Sequence, residues 1–416
     1  MVQRRQRSEP LTLDELDSLA QTAGYTVVGR MEQVKEPDAR FQIGAGKVEE
    51  LAELVNKTGA EKIIFDNLLR PLQSYNLAKA TNVEAIDRFQ LILEIFTRRA
   101  TTSEAQMQIH LAKLQYDLTQ AKERVRLAKR GEQPGFMGLG AYEVDVYYES
   151  VKREVHATRR RLKKFRGKRL LHRERRAELG FGSISLAGYT KAGKSSLFNI
   201  LAKETVPVDT ALFTTLSTTT RLVTFSKKKF LLTDTVGFID RLPLTLIEAF
   251  HSTLEETIYS DLILLMVDGS EAMSIMEKKL STCMETIERI GAGGIPSIVV
   301  LNKTDLVSNA DIQEKIENLR DRAKTLVPIS ALYGTNIEQL EQEILNKFKD
   351  YVRASFTIQV TKETMPFMAW LFKGADVQAT DYTADSVHVV FEANPSFAEK
   401  VRNRVAREFN GKMEKV

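Results

Sequence analysis

Eight consecutive residues near the middle of the chain have the types and spacing of a phosphate-binding loop. They read G-x-x-x-x-G-K-S between the apolar stretch SISLA and a helix-like segment that opens with Ser196, and they are Gly188, Tyr189, Thr190, Lys191, Ala192, Gly193, Lys194 and Ser195. Glycines let such a backbone curl so that successive N–H groups point toward phosphate oxygens. The Lys194 ammonium would then reach the β- and γ-phosphates, and the Ser195 hydroxyl would ligate Mg²⁺. The pattern predicts a nucleoside triphosphate site formed by these eight residues and Ser196.

A second motif, D-x-x-G, closes the next apolar stretch, FLLTD. Asp234 is its carboxylate, which would hold the Mg²⁺ shell, and Gly237 is its glycine, whose N–H would meet the γ-phosphate. Between the two motifs, the run FTTL (213–216) lies where a switch threonine completes magnesium coordination. Spacing alone does not separate Thr214 from Thr215 for that role.

The motif N-K-x-D after the stretch SIVVL identifies the base. Asp305 can accept hydrogen bonds from guanine N1–H and from the exocyclic amine, a donor pair that adenine does not present. Asn302 would fix the loop and Lys303 would pack along the base. The run Ser330, Ala331 and Leu332, after TLVPI, would supply a backbone N–H to guanine O6. Because the motifs follow one another at strand ends, the sequence predicts binding of GTP and GDP with Mg²⁺.

Phe238 follows Gly237 at the position where well-known small GTPases carry a water-orienting glutamine. A phenyl ring cannot orient water, so intrinsic hydrolysis is expected to be slow. The missing orientation would come from a partner surface, a reordered switch segment or a bound ion. Packing of Phe238 as a switch hydrophobe is compatible with the same expectation.

Composition excludes several classes of protein. The chain has 416 residues, 43% hydrophobic and 28% charged, which is ordinary for a globular protein of several domains. One cysteine, Cys283, forms no intrachain disulfide and suits a reducing compartment. No stretch has the roughly 20 apolar residues that span a bilayer, and the N-terminus has no apolar stretch of a secretory signal. A cytoplasmic, monomeric protein without a membrane segment is expected.

Charge is concentrated in one segment. The net charge is +5, but residues 151–178 contain thirteen Lys or Arg and three Glu. A phosphate-rich partner and a merely solvated helix face are both compatible with this cluster.

Apolar periodicity predicts how the elements are arranged. Residues 1–102 alternate helix and strand patterns, including the strands YTVVGR and KIIFD, which predicts a small α/β domain with a parallel sheet. Residues 103–181 predict an antiparallel helical hairpin with a basic second arm and the loop GEQPGFMGLG. Its seam steps by four and three through Met107, Leu111, Leu114, Leu118, Ala121 and Val125, and through Val151, Val155, Thr158, Leu162 and Phe165.

The remaining residues predict two further domains. Residues 182–349 read as a doubly wound α/β domain that carries the nucleotide motifs. Residues 350–416 predict a small α+β domain. The fold class is therefore α/β: a P-loop GTPase domain preceded by an α/β domain with a hairpin and followed by an α+β domain.

Several segments resemble the HflX GTPases, which are ribosome-associated members of the translation-factor-related class. They are QIGAGKVEEL (42–51), DRFQLILEIFTRRATTSEAQMQIHLAKLQY (87–116), GYTKAGKSSLFN (188–199) and DTVGFIDRLP with AFHSTLEET (234–257). Similarity to the F-[AT]-T-L pattern of that class selects Thr215 as the switch threonine. The residues expected to carry catalysis are therefore Thr215, Lys194 and Gly237. The expected metal ligands are Thr215, Ser195 and Asp234. The segment 135–150 departs from the family's G-P-G-E-T-Q-type stretch.

The resemblance implies a GTP-hydrolysing switch that binds rRNA of the large ribosomal subunit and acts in ribosome dissociation or rescue. A large-subunit assembly GTPase is one alternative. An RNA-binding scaffold in which GTP is mainly a structural ligand is another.

Overall fold

The computed structural model describes residues 1–7, 9, 11–129, 141–178, 181–203, 218–226, 228–240, 251–348, 351–393 and 395–415. The chain divides into two compact units, the first built mainly on Met1–Lys164 and the second mainly on the residues that follow. The four domain ranges expected from the sequence stay a prediction. None of the described helices combines the length and the apolar composition of a membrane-spanning segment.

The first unit opens with a parallel sheet of short strands, β1 (Val2–Arg5), β2 (Met31–Val34), β3 (Lys62–Phe65) and β4 (Glu84–Asp87). Their order across the sheet is β2-β1-β3-β4, and every pairing is parallel. The helices between and after them are α1 (Leu13–Thr22), α2 (Ala45–Thr58), α3 (Pro71–Thr81) and α4 (Arg88–Arg99). The expected parallel α/β arrangement is confirmed.

The strand expected at YTVVGR is wrong, because the edge strand begins one residue later. Met31 lies opposite Val2, and the Met31 N–H donates to the carbonyl oxygen of Met1 at 2.9 Å. Residues 25–30 therefore lie outside the paired register of β1 and β2, although the Gly29 carbonyl oxygen accepts a hydrogen bond from the Met1 ammonium at 2.7 Å. Strand β1 was not expected from the sequence, and its Gln3 is buried because its side chain exchanges hydrogen bonds with Thr12.

Two long helices, α5 (Ser103–Lys129) and α6 (Ala141–Glu178), form the hairpin. Leu111, Leu114, Val151 and Val155 make its apolar core, with Leu118 and Leu162 packed against them. Ala121 and Thr158 are also buried. These positions confirm the predicted seam, whereas the Val125 side chain and the loop at 131–140 lie outside the described residues. His110 on α5 contacts Glu154 on α6 at 2.9 Å.

A six-stranded sheet carries the nucleotide motifs. Its strands are β5 (Gly182–Gly188), β6 (Thr219–Phe225), β7 (Lys228–Asp234), β8 (Leu262–Asp268), β9 (Ser297–Asn302) and β10 (Leu326–Pro328). The order is β10-β9-β8-β5-β7-β6, in which only β6 is antiparallel to its neighbour. The helices are α7 (Lys194–Ala202), α8 (His251–Ile258), α9 (Met273–Arg289), α10 (Asn309–Leu319) and α11 (Ile337–Lys347). Since β5, β7 and β9 are parallel, the motifs that follow them meet at one edge.

The C-terminal part is an antiparallel sheet in the order β12-β13-β11-β14 with two helices. Its elements are β11 (Val352–Gln359), α12 (Thr364–Gly374), β12 (Asp376–Tyr382), β13 (Ser386–Ala393), α13 (Pro395–Phe409) and β14 (Met413–Lys415). This β-α-β-β-α-β order is the split βαβ arrangement of ferredoxin-like folds. The α+β prediction is confirmed, and β14 is a short strand that the sequence analysis missed.

Lys228, at the start of β7, joins the nucleotide sheet to the C-terminal sheet. Its ammonium lies 2.7 Å from Glu392 Oε1 on β13 and 4.3 Å from the centre of the Tyr351 ring. Burial, together with the carboxylates of Asp261 and Glu392, raises the pKa of Tyr351 to about 12. The C-terminal sheet is therefore fixed to the beginning of the strand that ends at Asp234.

Candidate functional site

The phosphate loop connects β5 to α7, and two of its glycines are required by their surroundings. Gly188 has φ +143°, and a Cβ there would lie 2.4 Å from the carbonyl oxygen of Met266. Gly193 has φ +94°, and a Cβ there would lie 2.1 Å from Asn302 Nδ2. Both positions combine a left-handed backbone with close approach to a neighbouring strand, so only glycine fits.

Lys194 is held inside this loop. Its Nζ donates to the carbonyl oxygen of Gly188 at 3.1 Å and to that of Tyr189 at 2.9 Å. The side chain is buried, and this burial lowers the pKa of Lys194, while the nearby Asp234 carboxylate acts in the opposite direction. The ammonium is therefore placed where the loop would enclose a phosphate.

Ser195 and Asp234 bring oxygen ligands together at the start of α7. The Ser195 hydroxyl donates to Asp234 Oδ2 at 2.9 Å, and Asp234 is 1% exposed at the end of β7. A carboxylate beside a hydroxyl is a donor set that suits Mg²⁺, which takes few protein ligands and completes its octahedron with phosphates and waters. The described residues contain no cluster of three or more acidic, histidine or cysteine side chains that would form a separate metal cage.

The loop after Asp234 is bonded to the phosphate loop. The Phe238 N–H donates to the Gly188 carbonyl oxygen at 3.0 Å, and the Thr190 N–H donates to the Phe238 carbonyl oxygen at 2.8 Å. The Phe238 side chain is 1% exposed. The Asp240 N–H donates to the Tyr189 hydroxyl at 2.7 Å, which is a third hydrogen bond between the loop after β7 and the phosphate loop.

Gly237 lies against two residues of the phosphate loop. A Cβ at this position would lie 2.8 Å from Thr190 Cγ2 and 2.9 Å from Lys194 Nζ. The second motif therefore has no room for a side chain beside the lysine ammonium.

Asn302 ties the phosphate loop to the loop after β10. Its Nδ2 donates to the Ala192 carbonyl oxygen at 2.8 Å, and its Oδ1 accepts from the Ala331 N–H at 2.9 Å. Asp305 is positioned by Ser330, whose hydroxyl donates to Asp305 Oδ1 at 2.5 Å. The residues predicted to recognise the base are therefore brought together, as their sequence order suggested.

Some neighbours of the site were not found from the sequence. Asp268, at the end of β8, forms an ion pair with Lys303. Lys278 on α9 donates to Asp240 Oδ2 at 2.6 Å. The position of Asp268 at the end of a parallel strand was a usable signal, whereas nothing local in the sequence indicated Lys278 or the Tyr189 hydroxyl. Thr215 lies outside the described residues.

Comparisons with known proteins cover nearly the whole chain. The family model described as GTP-binding GTPase N-terminal matches residues 11–97, and that described as GTP-binding GTPase Middle Region matches 99–176. The model described as 50S ribosome-binding GTPase matches residues 183–303.

Two relatives are similar over most of their length. The GTPase HflX of Methanocaldococcus jannaschii is 40% identical over 380 residues, which cover 91% of this chain and 92% of the relative. The GTPase HflX of Thermofilum pendens is 42% identical over 354 residues, covering 85% and 83%.

A crystal structure of a GTP-binding protein from Sulfolobus solfataricus in complex with GDP is 26% identical, with a TM-score of 0.45, and the match covers 83% of this chain and 97% of that one.

The relatives from Methanocaldococcus jannaschii and Thermofilum pendens are about 40% identical to this chain over most of its length. On that similarity, the chain belongs to the HflX GTPases.

Proposed function

We propose that this GTPase is a switch that binds rRNA of the large ribosomal subunit and acts in ribosome dissociation or rescue. The description of the matched model, 50S ribosome-binding GTPase, supports a large-subunit partner. The observation that carries the proposal is a cationic face on α6. It is defined here as five exposed residues, Arg159, Arg160, Arg161, Lys163 and Lys164.

The cationic face has the chemistry of a phosphate-binding surface. In the part of the chain that the structure describes, none of its five side chains forms an ion pair with a carboxylate. Nearby Lys152 does form one, with Glu149 at 3.4 Å. Exposed cations that form no ion pair with a carboxylate can neutralise phosphates and release counterions, which favours binding to RNA.

The proposed control signal is the GTP cycle at the site described above. Lys194 and the loop amides would bind the phosphates, and Ser195, Asp234 and Thr215 would hold Mg²⁺, which neutralises charge on the phosphate oxygens. Asp305 would select guanine. The Ala331 N–H already has Asn302 as an acceptor, so the Leu332 N–H, which has no acceptor among the described residues, is the donor we assign to guanine O6.

Activation by the ribosome is part of the proposal. Phe238 has no group that could orient water, and its main chain is attached to the phosphate loop. Slow basal hydrolysis that large subunits accelerate by about tenfold or more is therefore expected. Turnover measured with and without large subunits separates this switch from a scaffold in which GTP is structural, because the scaffold's turnover would not respond.

Sedimentation tests the ribosomal role. The protein is added with a non-hydrolysable GTP analogue to intact ribosomes, which are then separated on a gradient. A dissociation or rescue factor is expected to move with mature large subunits and to deplete intact ribosomes. Binding to precursor subunits, with intact ribosomes unchanged, would favour the assembly alternative. The same gradient without ribosomes tests the expected monomer.

A further inference from the structure

The phosphate loop contains a second lysine, Lys191, in an unusual backbone conformation. Its φ is +65°, in the left-handed region, which disfavours residues other than glycine because their Cβ comes too close to the following carbonyl oxygen. Its side chain is exposed, whereas Thr190 and Ala192 on either side are 6% and 1% exposed. Backbone strain of this kind in a binding loop is a reason to look for a function of the residue.

The Lys191 ammonium is available to a ligand. Across the described ranges, it makes no ion pair or hydrogen bond with another side chain of the protein. The other loop lysine differs, because Lys194 is buried and donates to two carbonyl oxygens of the loop. The phosphate loop therefore presents one enclosed and one exposed cation.

GTP hydrolysis needs positive charge near the oxygens of the transferring phosphoryl group and the leaving GDP. The water oxygen forms a bond to the γ-phosphorus, and the bond from that phosphorus to the β–γ bridging oxygen breaks. The electron pair stays on the bridging oxygen of GDP, and a water proton passes to the released phosphate. Negative charge that develops on the phosphate oxygens is stabilised by metal ions and by an arginine supplied within the chain or by a partner.

We propose that Lys191 is a catalytic residue, whose ammonium contacts the β–γ bridging oxygen and the γ-phosphate as the bond breaks. It lies three residues before Lys194 in the loop that encloses the phosphates, and its flexible four-carbon stem reaches roughly 6 Å. It thus supplies within the chain a charge that other GTPases receive from an arginine. This inference rests on the GTPase activity and is independent of the ribosomal role.

The test compares four variants of the full chain without ribosomes. Lys191→Ala removes the charge, Lys191→Gly removes it and also relieves the backbone, and Lys191→Arg keeps it. The matched control is Lys203→Ala, because Lys203 is also left-handed, with φ +53°, but ends α7 away from the loop. Single-turnover hydrolysis is measured together with the affinities for GTP, GDP and GDP with aluminium fluoride, which imitates the transferring phosphoryl group.

Loss of catalysis without loss of nucleotide binding is the expected result. Lys191→Ala and Lys191→Gly should slow hydrolysis by about tenfold or more and weaken binding of GDP with aluminium fluoride similarly, with GTP and GDP affinities changed by less than about threefold. Lys191→Arg should keep more activity than Lys191→Ala because it keeps the charge, and Lys203→Ala should stay near wild type. Added propylammonium should partly restore hydrolysis by Lys191→Ala.

Two results would overturn the proposal. Equal losses of GTP and GDP affinity with an unchanged single-turnover rate would make Lys191 a ground-state binding residue only. Glycine adopts a positive φ without strain, so Lys191→Gly tests the side chain alone. Unchanged hydrolysis by this variant would mean that the Lys191 ammonium is only solvated. Thermal unfolding of each variant separates either result from a folding defect.

Discussion

The main-chain N–H of Phe238 donates a hydrogen bond to the carbonyl oxygen of Gly188 at 3.0 Å, which attaches the loop after β7 to the first residue of the phosphate loop. The same Gly188 oxygen also accepts from Lys194 Nζ. One carbonyl therefore connects three parts of the site: the loop glycine, the phosphate-binding lysine and the residue after the D-x-x-G motif. A displacement of the Phe238 main chain away from Gly188 would break this hydrogen bond.

Phe238→Gln is expected not to produce a fast GTPase, although it restores the residue type of well-known small GTPases. The side chain at this position is 1% exposed, so the new amide would be buried instead of meeting water. Burial of an amide without partners should destabilise the fold by about 1–3 kcal/mol. Basal hydrolysis and urea unfolding measure the two effects. Phe238→Leu serves as the apolar control, and a tenfold faster basal rate in Phe238→Gln would contradict the expectation.

Gly237→Ala should abolish most GTP hydrolysis and leave the fold largely intact. The added methyl group would lie 2.8 Å from Thr190 Cγ2 and 2.9 Å from Lys194 Nζ, so either the loop or the lysine must move. We expect a rate reduction of about tenfold or more, because phosphoryl transfer depends on positioning. The matched control is Gly46→Ala, where a Cβ would meet nothing within 4 Å in helix α2. Wild-type hydrolysis by Gly237→Ala would show that the close approach has no functional consequence.

The sequence predicted those parts of the site that are encoded in short motifs. Ser195 and Asp234 were assigned to one magnesium site from two motifs, and their side chains are hydrogen-bonded in the structure. Strands β5, β7, β8 and β9 were recognised because buried parallel strands are continuous apolar runs. Polar strands were harder to predict, since β1 is polar in sequence and Gln3 is buried only because Thr12 satisfies its amide.

Contacts between distant segments could not be read from local patterns. Asn302 bonds to Ala192, 110 residues earlier in the chain, and the ion pair between Lys228 and Glu392 joins two separate sheets. Each contact depends on where the whole sheet places its strand ends, and periodicity gives only the existence of the strands. The attachment of Phe238 to Gly188 was missed for the same reason.

Asp305→Asn should shift nucleotide preference from guanine toward xanthine. The substitution replaces one acceptor with a donor opposite the guanine amine, and mispairing of polar groups that the bound base would cover should weaken GTP binding by roughly 1–3 kcal/mol. Ser330, which donates to Asp305 Oδ1, can still donate to the asparagine oxygen, so the loop should keep its conformation. Competition by GTP, XTP and ATP against a fluorescent nucleotide measures the change. Wild-type binding of ATP as tight as that of GTP would contradict the base assignment.

The thiol of Cys283 should make stability depend on pH above about 9. Burial raises its pKa from 9.0 to about 12, so the folded protein holds this proton more tightly than the unfolded chain. The resulting stability is fully present below pH 9 and is lost as the pH rises toward 12. Denaturant unfolding of wild type and Cys283→Ala from pH 8 to 10 should show a steeper loss for wild type. Parallel pH profiles would mean that the thiol is not protected.

The last prediction concerns the cationic face on α6. Arg159 and Lys163 are four residues apart and share one side of the helix, while Leu162 packs against the hairpin core. If both contact rRNA phosphates, replacing them with Ala removes about two counterion-release contributions and lowers the salt slope of ribosome binding by up to about two units. GTP affinity and folding should change little, because exposed helix positions tolerate Ala.

A charge-matched variant distinguishes a specific contact from the effect of net charge. Lys324→Ala with Lys347→Ala removes the same charge from exposed positions of the nucleotide-binding part and should leave the slope unchanged. Binding of large subunits by each protein is measured at several salt concentrations. Arg166 follows Lys163 by three residues, a spacing that places it on the same side of a helix, but its side chain lies outside the described residues, so it is tested as an addition to the double variant. Parallel salt plots and equal affinities for wild type and the Arg159→Ala, Lys163→Ala variant would mean that this side of the helix is solvated and does not touch rRNA.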